Sequence, residues 1–515
     1  MKRLLIHSLL VVIIILSACS PSRQETAGKD NRKISMTFVQ VNDVYEIAPL
    51  EGGKTGGMAR VATIKKEWRA KNPNTLLVMA GDFLSPSVFN SLKYEGNRIR
   101  GKQMVEAMNT AGTDLAVFGN HEFDITESEL QSRINESQFQ WISSNTFHKT
   151  GNTMAPFLKT NASGTGAFPE AYIMPVRDAD GTTAKIGFIG LTLPFNKASY
   201  VSYTDALTVA QTLYERIRDS CDAVIAITHQ SMAEDILLAQ KIPGLALIMG
   251  GHEHERQFAK IGDVYITKAD ANARSAYIIK LRINTKKHML TVRTELKRID
   301  ETVPMDSATY AVVKKWTGIA DRNYASLGFD ARKVVMRSGE PLDGREAMIR
   351  TRPTNFTKMI VAAMQQASPA ADVVMINAGS IRVDDILQVP VSQYDIIRSL
   401  PFGGSLMEVD MKGSLLIKVL EAGKKNRGIG GYLHYSPEIT NDEASAGWSL
   451  KNIPLDPMKV YKVAITDFLM TGGEANMDFL KKDNPDIVKV YPLYTDLNDA
   501  RSDIRLAIIR YIEKL

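Results

Sequence analysis

The stretch Leu245-Ala246-Leu247-Ile248-Met249-Gly250-Gly251-His252-Glu253-His254 passes from an unbroken apolar run through two glycines into two histidines one residue apart. An apolar run of this length, closed by glycine, reads as a buried strand, and strands buried on both faces belong to sheets covered by helices. Four other runs end in the same way. Thr37 to Val41 stops at Asn42-Asp43, Leu76 to Ala80 at Gly81-Asp82, Leu115 to Phe118 at Gly119-Asn120-His121, and Ala223 to Ile227 at Thr228-His229. In α/β proteins the strand ends on one edge of a sheet build the site, so these polar residues are expected to converge. The chain has eight histidines, and four of them (His121, His229, His252, His254) stand at these ends, which scattered core or surface histidines have no reason to do.

Residues i and i+2 of an extended segment point the same way, so His252 and His254 address one cluster. With Asp43, Asp82, Asn120 and His229 they make the mixed oxygen and nitrogen set that divalent cations favour. Two such ions, roughly 3.5–4 Å apart, suit hydrolysis of a phosphate ester, because together they lower the pKa of a water and compensate charge on the phosphoryl oxygens. A carboxylate must bridge the pair. Asp82 is placed for that.

At 515 residues, 44% hydrophobic and 23% charged, the chain is globular and long enough for two or three domains with full cores. Its net charge of +6 is spread among interspersed residues rather than gathered in a stripe, so a nucleic-acid polymer is not an expected partner. Met1-Lys2-Arg3 and the apolar stretch Leu4 to Leu16 form a short secretory leader that ends Leu16-Ser17-Ala18-Cys19. That ending is similar to a bacterial lipobox, which implies lipidation of Cys19 as the mature N-terminus. The polar residues after it suit a flexible tether. The expected location is therefore the bacterial cell envelope, on the periplasmic side or the cell surface, with the membrane touched only through the lipid. Cys19 and Cys221 are the only cysteines, so acylation of the first leaves no disulfide to form.

From Ile34 to Ile299 strand runs alternate with helical patterns, as at Gly57 to Arg69 and Gly101 to Ala111, and Asp180-Gly181 marks a hairpin turn. Val264 to Thr267 and Ser275 to Ile283 read as paired strands that continue into Met289 to Leu296. An amphipathic pattern through Tyr310, Val313, Trp316 and Ile319 then suggests a connecting helix. A second pattern follows: a capped helix behind Thr354-Asn355, then a buried strand from Ala371 to Ile376 ending at Asn377-Ala378-Gly379-Ser380-Ile381-Arg382. The expected divisions are 1–18 leader, 19–33 tether, 34–300 first domain, 301–330 connecting helix and 331–515 second domain.

Taken together, these motifs resemble the 5′-nucleotidase family of calcineurin-like metallophosphatases along the whole mature chain. The resemblance implies a mixed α/β and α+β protein: an N-terminal four-layer α/β/β/α sandwich and an α+β C-terminal domain. It implies one metal site from Asp43, Asp82 and His254 and another from Asp82, Asn120, His229 and His252. It also implies that His121 stabilises the transition state or protonates the leaving oxygen, with Asp124 orienting it; a histidine beside a carboxylate is a fit general acid. Arg382 would bind the substrate phosphate, with Asn377, Gly379 and Phe402 nearby, and Tyr432 would stack on a nucleobase. Glu122 and Glu253 are expected behind the ligands or at the surface.

Two departures bear on function. The family's first motif has a histidine two residues after the aspartate, and this chain has Tyr45. A phenol with a pKa of about 10 is a poor zinc ligand, but phenolate suits a harder ion such as ferric iron. Tyr45 either ligates, or leaves the position to water, or marks an altered or lost activity. The second departure is Gly472-Gly473-Glu474-Ala475-Asn476, where Asn476 stands in place of the second stacking ring. Phe479 either substitutes for that ring or is core. The expected cofactors are two divalent ions (zinc, manganese, cobalt or similar, with iron an option through Tyr45), and the expected partner is a small nucleotide, with no protein partner. The expected function is hydrolysis of 5′-nucleotides or related phosphoesters for nucleotide scavenging. The alternatives are a nucleotide-sugar, cyclic-nucleotide or sulfur-ester hydrolase on the same site, or a non-catalytic surface protein that binds nucleotide or metal.

Overall fold

The computed structural model describes residues 30–194, 198–442 and 447–515. The leader, Cys19 and most of the tether lie outside the described residues.

Two six-stranded sheets face one another in the first domain. One has the order Met289–Arg298, Ser275–Asn284, Lys33–Val41, Thr75–Met79, Leu115–Val117, Gln140–Ile142, with the last four parallel. The other runs Ala171–Arg177, Thr183–Thr192, Ala223–His229, Leu247–Gly251, Val264–Lys268, Gln257–Ile261, with the middle four parallel. Side-chain alternation along the strands makes the layers. Ile34, Met36 and Phe38 meet Phe188, Ile225 and Met249 between the sheets. Val39 and Val41 turn outward to pack with Val61 and Met104 of the helices Met58–Lys71 and Lys102–Ala111. Val224 and Ala226 turn outward on the other side to Leu213 and Leu238. The result is a four-layer α/β/β/α sandwich.

One expected pairing is wrong. Val264–Lys268 and Ser275–Asn284 do not pair with each other; the former lies beside Leu247–Gly251 and Gln257–Ile261 in one sheet, the latter between Lys33–Val41 and Met289–Arg298 in the other. The chain crosses between sheets at residues 269–274, turning at Asn272 and Ala273, which have φ of +56° and +53°. This crossing passes the site. Asn272 N–H donates to the Asp43 carbonyl and Ala271 N–H to the His254 carbonyl.

Helix Ser307–Ser326 packs against the first domain's outer helices and leads into the second domain. There a five-stranded sheet has the order Leu433–Tyr435, Val373–Asn377, Val460–Thr466, Leu406–Lys412, Ile487–Val490. Helices Asn355–Ala367 and Ile504–Ile512 cover one face and Gly413–Lys425 the other. Thr354 caps its helix by accepting from Thr357 N–H at 3.2 Å. Among the described residues no helix is long and apolar enough to cross a membrane.

His434 is expected to make the second domain sensitive to acid. Its Nε2 lies 2.8 Å from the Ile349 carbonyl, its Nδ1 has no hydrogen-bond partner among the described residues, and burial pushes its pKa down to about 4. Between pH 6.5 and about 4 the unfolded chain therefore binds a proton that the folded chain refuses. The associated stability is fully present above the unfolded pKa and is lost as pH falls toward the folded one, by roughly 3 kcal/mol. Urea unfolding at pH 7 and pH 4.5 is expected to show a smaller acid loss for His434→Gln than for the wild type; equal losses would contradict this.

Candidate active site

Three of the expected ligands sit on strained backbone. Asp43, Asp82 and His252 have φ of +52°, +55° and +86°, a region that costs a non-glycine residue about 1–3 kcal/mol and that concentrates at functional sites. The glycines between strand and ligand permit the close packing behind them. A Cβ on Gly81 would come within 2.5 Å of His229 Nδ1, and one on Gly119 within 2.1 Å of Asp82 Oδ1. Glu122 holds both turns: its fully buried carboxylate accepts from the backbone N–H of Asp82, Phe83, Leu84 and Gly119 at 2.9, 2.7, 3.0 and 2.5 Å. Burial and the neighbouring Asp82 carboxylate raise the pKa of Glu122 to about 7 despite these four amides.

Ligand atoms of Asp43, Asp82 and His229 all lie within 4.8 Å of one another. His229 Nδ1 is 2.8 Å from the Ala80 carbonyl, which leaves Nε2 facing Asp82 Oδ2 at 3.1 Å and Asp43 Oδ1 at 3.9 Å. His252 packs its ring edge against His229 at 5.5 Å, and its N–H donates to Asp43 Oδ2 at 3.0 Å. His254 Nε2 is 3.6 Å from Asp43 Oδ1. Burial lowers the affinity of His229 for a proton, but the charges of Asp82 and Asp43 outweigh it and bring the pKa to about 9; His252, buried beside His229, falls to about 4.

These residues fit a metal centre. Asp43 Oδ1 and Asn120 Oδ1 are buried acceptors with no hydrogen-bond partner among the described residues. Buried oxygens of this kind are normally satisfied, and a bound cation would satisfy them. Tyr45 reaches the same cluster: its hydroxyl donates to Asp82 Oδ2 at 3.1 Å and is 2.9 Å from His254 Nε2. Burial, Asp82 and Asp43 all hold it far above the usual tyrosine range, so the phenol stays protonated unless a cation offsets those carboxylates.

His121 stands beside the cluster. Its N–H donates to Asp82 Oδ1 at 2.8 Å, and its Nδ1 is 2.7 Å from Asp124 Oδ2, which also accepts from Ser85 Oγ. Burial alone would lower its pKa; the carboxylates of Asp124 and Asp82 raise it above that of an ordinary histidine. From the second domain comes Arg382, stacked over the exposed ring of Phe402 at 5.5 Å, with a buried Nε that has no hydrogen-bond partner among the described residues. A polar cleft of about 1030 Å³ between the domains is lined by Asp82, His252 and His254 on one side and Arg345, Arg350 and Asp384 on the other.

The two halves of the chain match two family models, calcineurin-like phosphoesterase over residues 36–256 and 5′-nucleotidase, C-terminal domain, over residues 334–482. The chain belongs to the 5′-nucleotidase family of calcineurin-like phosphoesterases. The bovine 5′-nucleotidase is 24% identical over 506 residues, covering 86% of this chain and 84% of its own length. The 5′-nucleotidase precursor of Thermus thermophilus shares the fold with a TM-score of 0.67 at 22% identity, covering 93% of this chain and 96% of that one. The sulfate thiohydrolase SoxB of the same organism shares it with a TM-score of 0.62 at 15% identity, covering 93% and 94%.

Within this family site, the loops around the nucleoside-binding candidates pack together. Asn377 Nδ2 donates to Glu474 Oε2 at 2.6 Å, and Gly379 N–H donates to the Gly430 carbonyl at 2.7 Å, two residues before Tyr432. Tyr432 sets its ring edge-on to His434. Phe479 is half-buried and packs on the cluster of Met407 and Leu416, with Lys418 Nζ over its ring at 4.0 Å. Asn476 is held by Asn426 Oδ1 at 2.5 Å.

Three residues escaped sequence reasoning. Arg350 faces the cleft; burial lowers its pKa, Glu346 pulls it back up, and Arg382 is close enough for its charge to add to the lowering. Asp384 bonds His254 across the domain boundary. Lys268 is fully buried behind the His252-Glu253-His254 loop, where it pairs with Asp235 Oδ2 at 3.0 Å and with Glu253, and donates to the Gln230 carbonyl at 2.6 Å. Glu253 in turn accepts from Met232 N–H. Removing the cation leaves Asp235 buried and unpaired, so Lys268→Met is expected to destabilise the protein by roughly 3–5 kcal/mol. Urea denaturation measures this; a loss below about 1 kcal/mol, the level of an exposed pair, would contradict it.

Proposed function

We propose that this chain is a cell-envelope hydrolase that removes phosphate from nucleoside 5′-monophosphates, anchored by lipid at Cys19 and used in nucleotide scavenging. The observation that carries the reading is the convergence of Asp43, Asp82 and His229 beside the His121–Asp124 pair, with the charge of Arg382 close enough to act on His121. Asp43, Asp82 and His254 would hold one divalent ion, with the Tyr45 hydroxyl beside it, and Asp82, Asn120, His229 and His252 the other. When bound, the ions supply water activation and compensation of phosphoryl charge.

The protein's own groups supply the rest. Arg382 and Arg350 hold the phosphate by charge-assisted bonds and so orient the ester against His121. His121, kept protonated by Asp124 and Asp82, gives its proton to the leaving oxygen. Asp124 fixes the ring from Nδ1, which turns Nε2 toward the reacting group. Tyr432 offers a face to a nucleobase, and stacking accepts any base.

A second reading keeps the site and changes the ester. It rests on Asn476, which stands where the second ring is expected and has none, and would make the substrate a nucleotide sugar, a cyclic nucleotide or a sulfur ester. A competition panel separates the two. A nucleotidase turns over nucleoside 5′-monophosphates in preference to all three classes, and a preference for any of them moves the substrate while leaving the metal chemistry in place. Binding without turnover on every ester would favour a non-catalytic surface protein, the outcome that Tyr45 most directly motivates.

A further inference from the structure

The loop Ile381-Arg382-Val383-Asp384-Asp385 carries more than the phosphate-binding arginine. Asp384 Oδ2 lies 2.6 Å from His254 Nδ1, a hydrogen bond from the second domain to a metal-ligating histidine of the first. The other oxygen is anchored at home, where Asp384 Oδ1 accepts from Glu346 N–H at 2.5 Å. The backbone of Asp384 has φ of +36°, an uncommon value for a non-glycine residue, and the side chain is held by bonds to both oxygens of its carboxylate. The next residue makes a second cross-domain bond. Asp385 Oδ2 accepts from Arg274 Nη2 at 2.6 Å, and Arg274 also pairs with Glu51 at 3.0 Å.

We infer that Asp384 is a positioning residue that couples occupancy of the His254 metal site to closure of the two domains. A carboxylate on Nδ1 fixes the proton there and leaves the Nε2 lone pair for the ion, the arrangement by which outer carboxylates orient metal-bound histidines. Nε2 is the nitrogen that faces Asp43 and Tyr45. Because this carboxylate comes from the other domain, His254 is oriented only while the domains are together. Reciprocity then requires that an ion at this site favours closure by the factor through which closure favours the ion. Tyr45 makes the effect matter, since with a phenol in place of a histidine the site relies more heavily on a well-oriented His254. Arg382 sits on the same loop, so seating the loop brings the phosphate anchor and the ligand anchor into place in one movement.

The inference rests on the two-metal reading, and the test separates the two. Manganese is titrated calorimetrically into the metal-free wild type and into Asp384→Ala and Asp384→Asn, and small-angle X-ray scattering reads the radius of gyration with and without manganese. Thermal unfolding of the metal-free proteins checks that each is folded, and Asp384→Asn, nearly isosteric with the native residue, serves if the alanine variant is not. Asp384→Ala is expected to weaken one of two manganese sites about 10- to 100-fold and leave the other within about twofold. Asp384→Asn, which keeps the acceptor and loses the charge, falls between. Manganese compacts the wild type and fails to compact the alanine variant. Manganese affinity equal to the wild type at both sites, or equal compaction of both proteins, overturns the coupling. A folded wild type that binds no manganese overturns the two-metal reading itself.

Discussion

Asp82→Asn is expected to lower kcat/KM for phosphate release on the order of 10³-fold and to remove bound metal from the protein. Asp82 ties three parts of the centre together, His121, His229 and Tyr45. Its Oδ1 accepts from His121 N–H, and its Oδ2 lies 3.1 Å from both His229 Nε2 and the Tyr45 hydroxyl. His229 and His121 hold its carboxyl well below the usual carboxylate range although burial opposes this, so it is fully ionised at neutral pH and available to bridge two cations. Asparagine preserves the shape and discards the charge. Several kcal/mol of transition-state stabilisation then goes with the ions, which is the expected thousandfold or more. Elemental analysis alongside initial rates checks both halves; activity and metal content unchanged from the wild type would remove Asp82 from the mechanism.

His121→Gln is expected to lower kcat about 10²- to 10⁴-fold with metal content unchanged, the usual contribution of a general acid. Glutamine keeps the backbone N–H that donates to Asp82 Oδ1, so the cluster itself survives. The size of the loss is expected to depend on the leaving group. An ester of a nucleoside leaves as an alkoxide and needs the proton, whereas a nitrophenyl phosphate leaves as a stabilised phenolate and does not. A small loss on the nitrophenyl ester beside a large one on the nucleotide assigns His121 to proton donation. Equal losses on both assign it to stabilising charge on the phosphoryl group instead.

The strand ends were legible in the sequence because burial on both faces leaves an apolar run with no alternation, and the run stops where the ligand begins. Leu247–Gly251 followed by His252 and His254 is the plainest case. The outward and inward layers followed from period-two patterning, as in Ile34, Met36 and Phe38 against Val39 and Val41. What failed was anything decided at long range. Val264–Lys268 and Ser275–Asn284 are adjacent in sequence and read as a hairpin, but the turn between them uses Asn272 and Ala273 in left-handed geometry with no glycine to announce it. Lys268 went unread, since nothing local signals that Asp235 and Glu253 meet it in the interior. Glu122 appeared as one more carboxylate at a strand end; its use as an acceptor for four amides exists only once two strand ends lie side by side. Phe479 shows the limit of apolar spacing, because a ring that stacks on a base and a ring that fills a core have the same signature in sequence. Asp384 could not have been paired with His254 from spacing, because the bond joins two domains.

The central claim is a metal-dependent phosphoester hydrolase, and phosphate release tests it most directly. The body from Ser20 to Leu515 is stripped with a chelator and resupplied in turn with manganese, zinc, cobalt or iron, with a nucleoside 5′-monophosphate as substrate. The stripped protein is predicted to be inactive and to recover turnover with at least one of the metals. A folded protein that binds none of the four, or that releases phosphate equally well before and after stripping, would contradict the account.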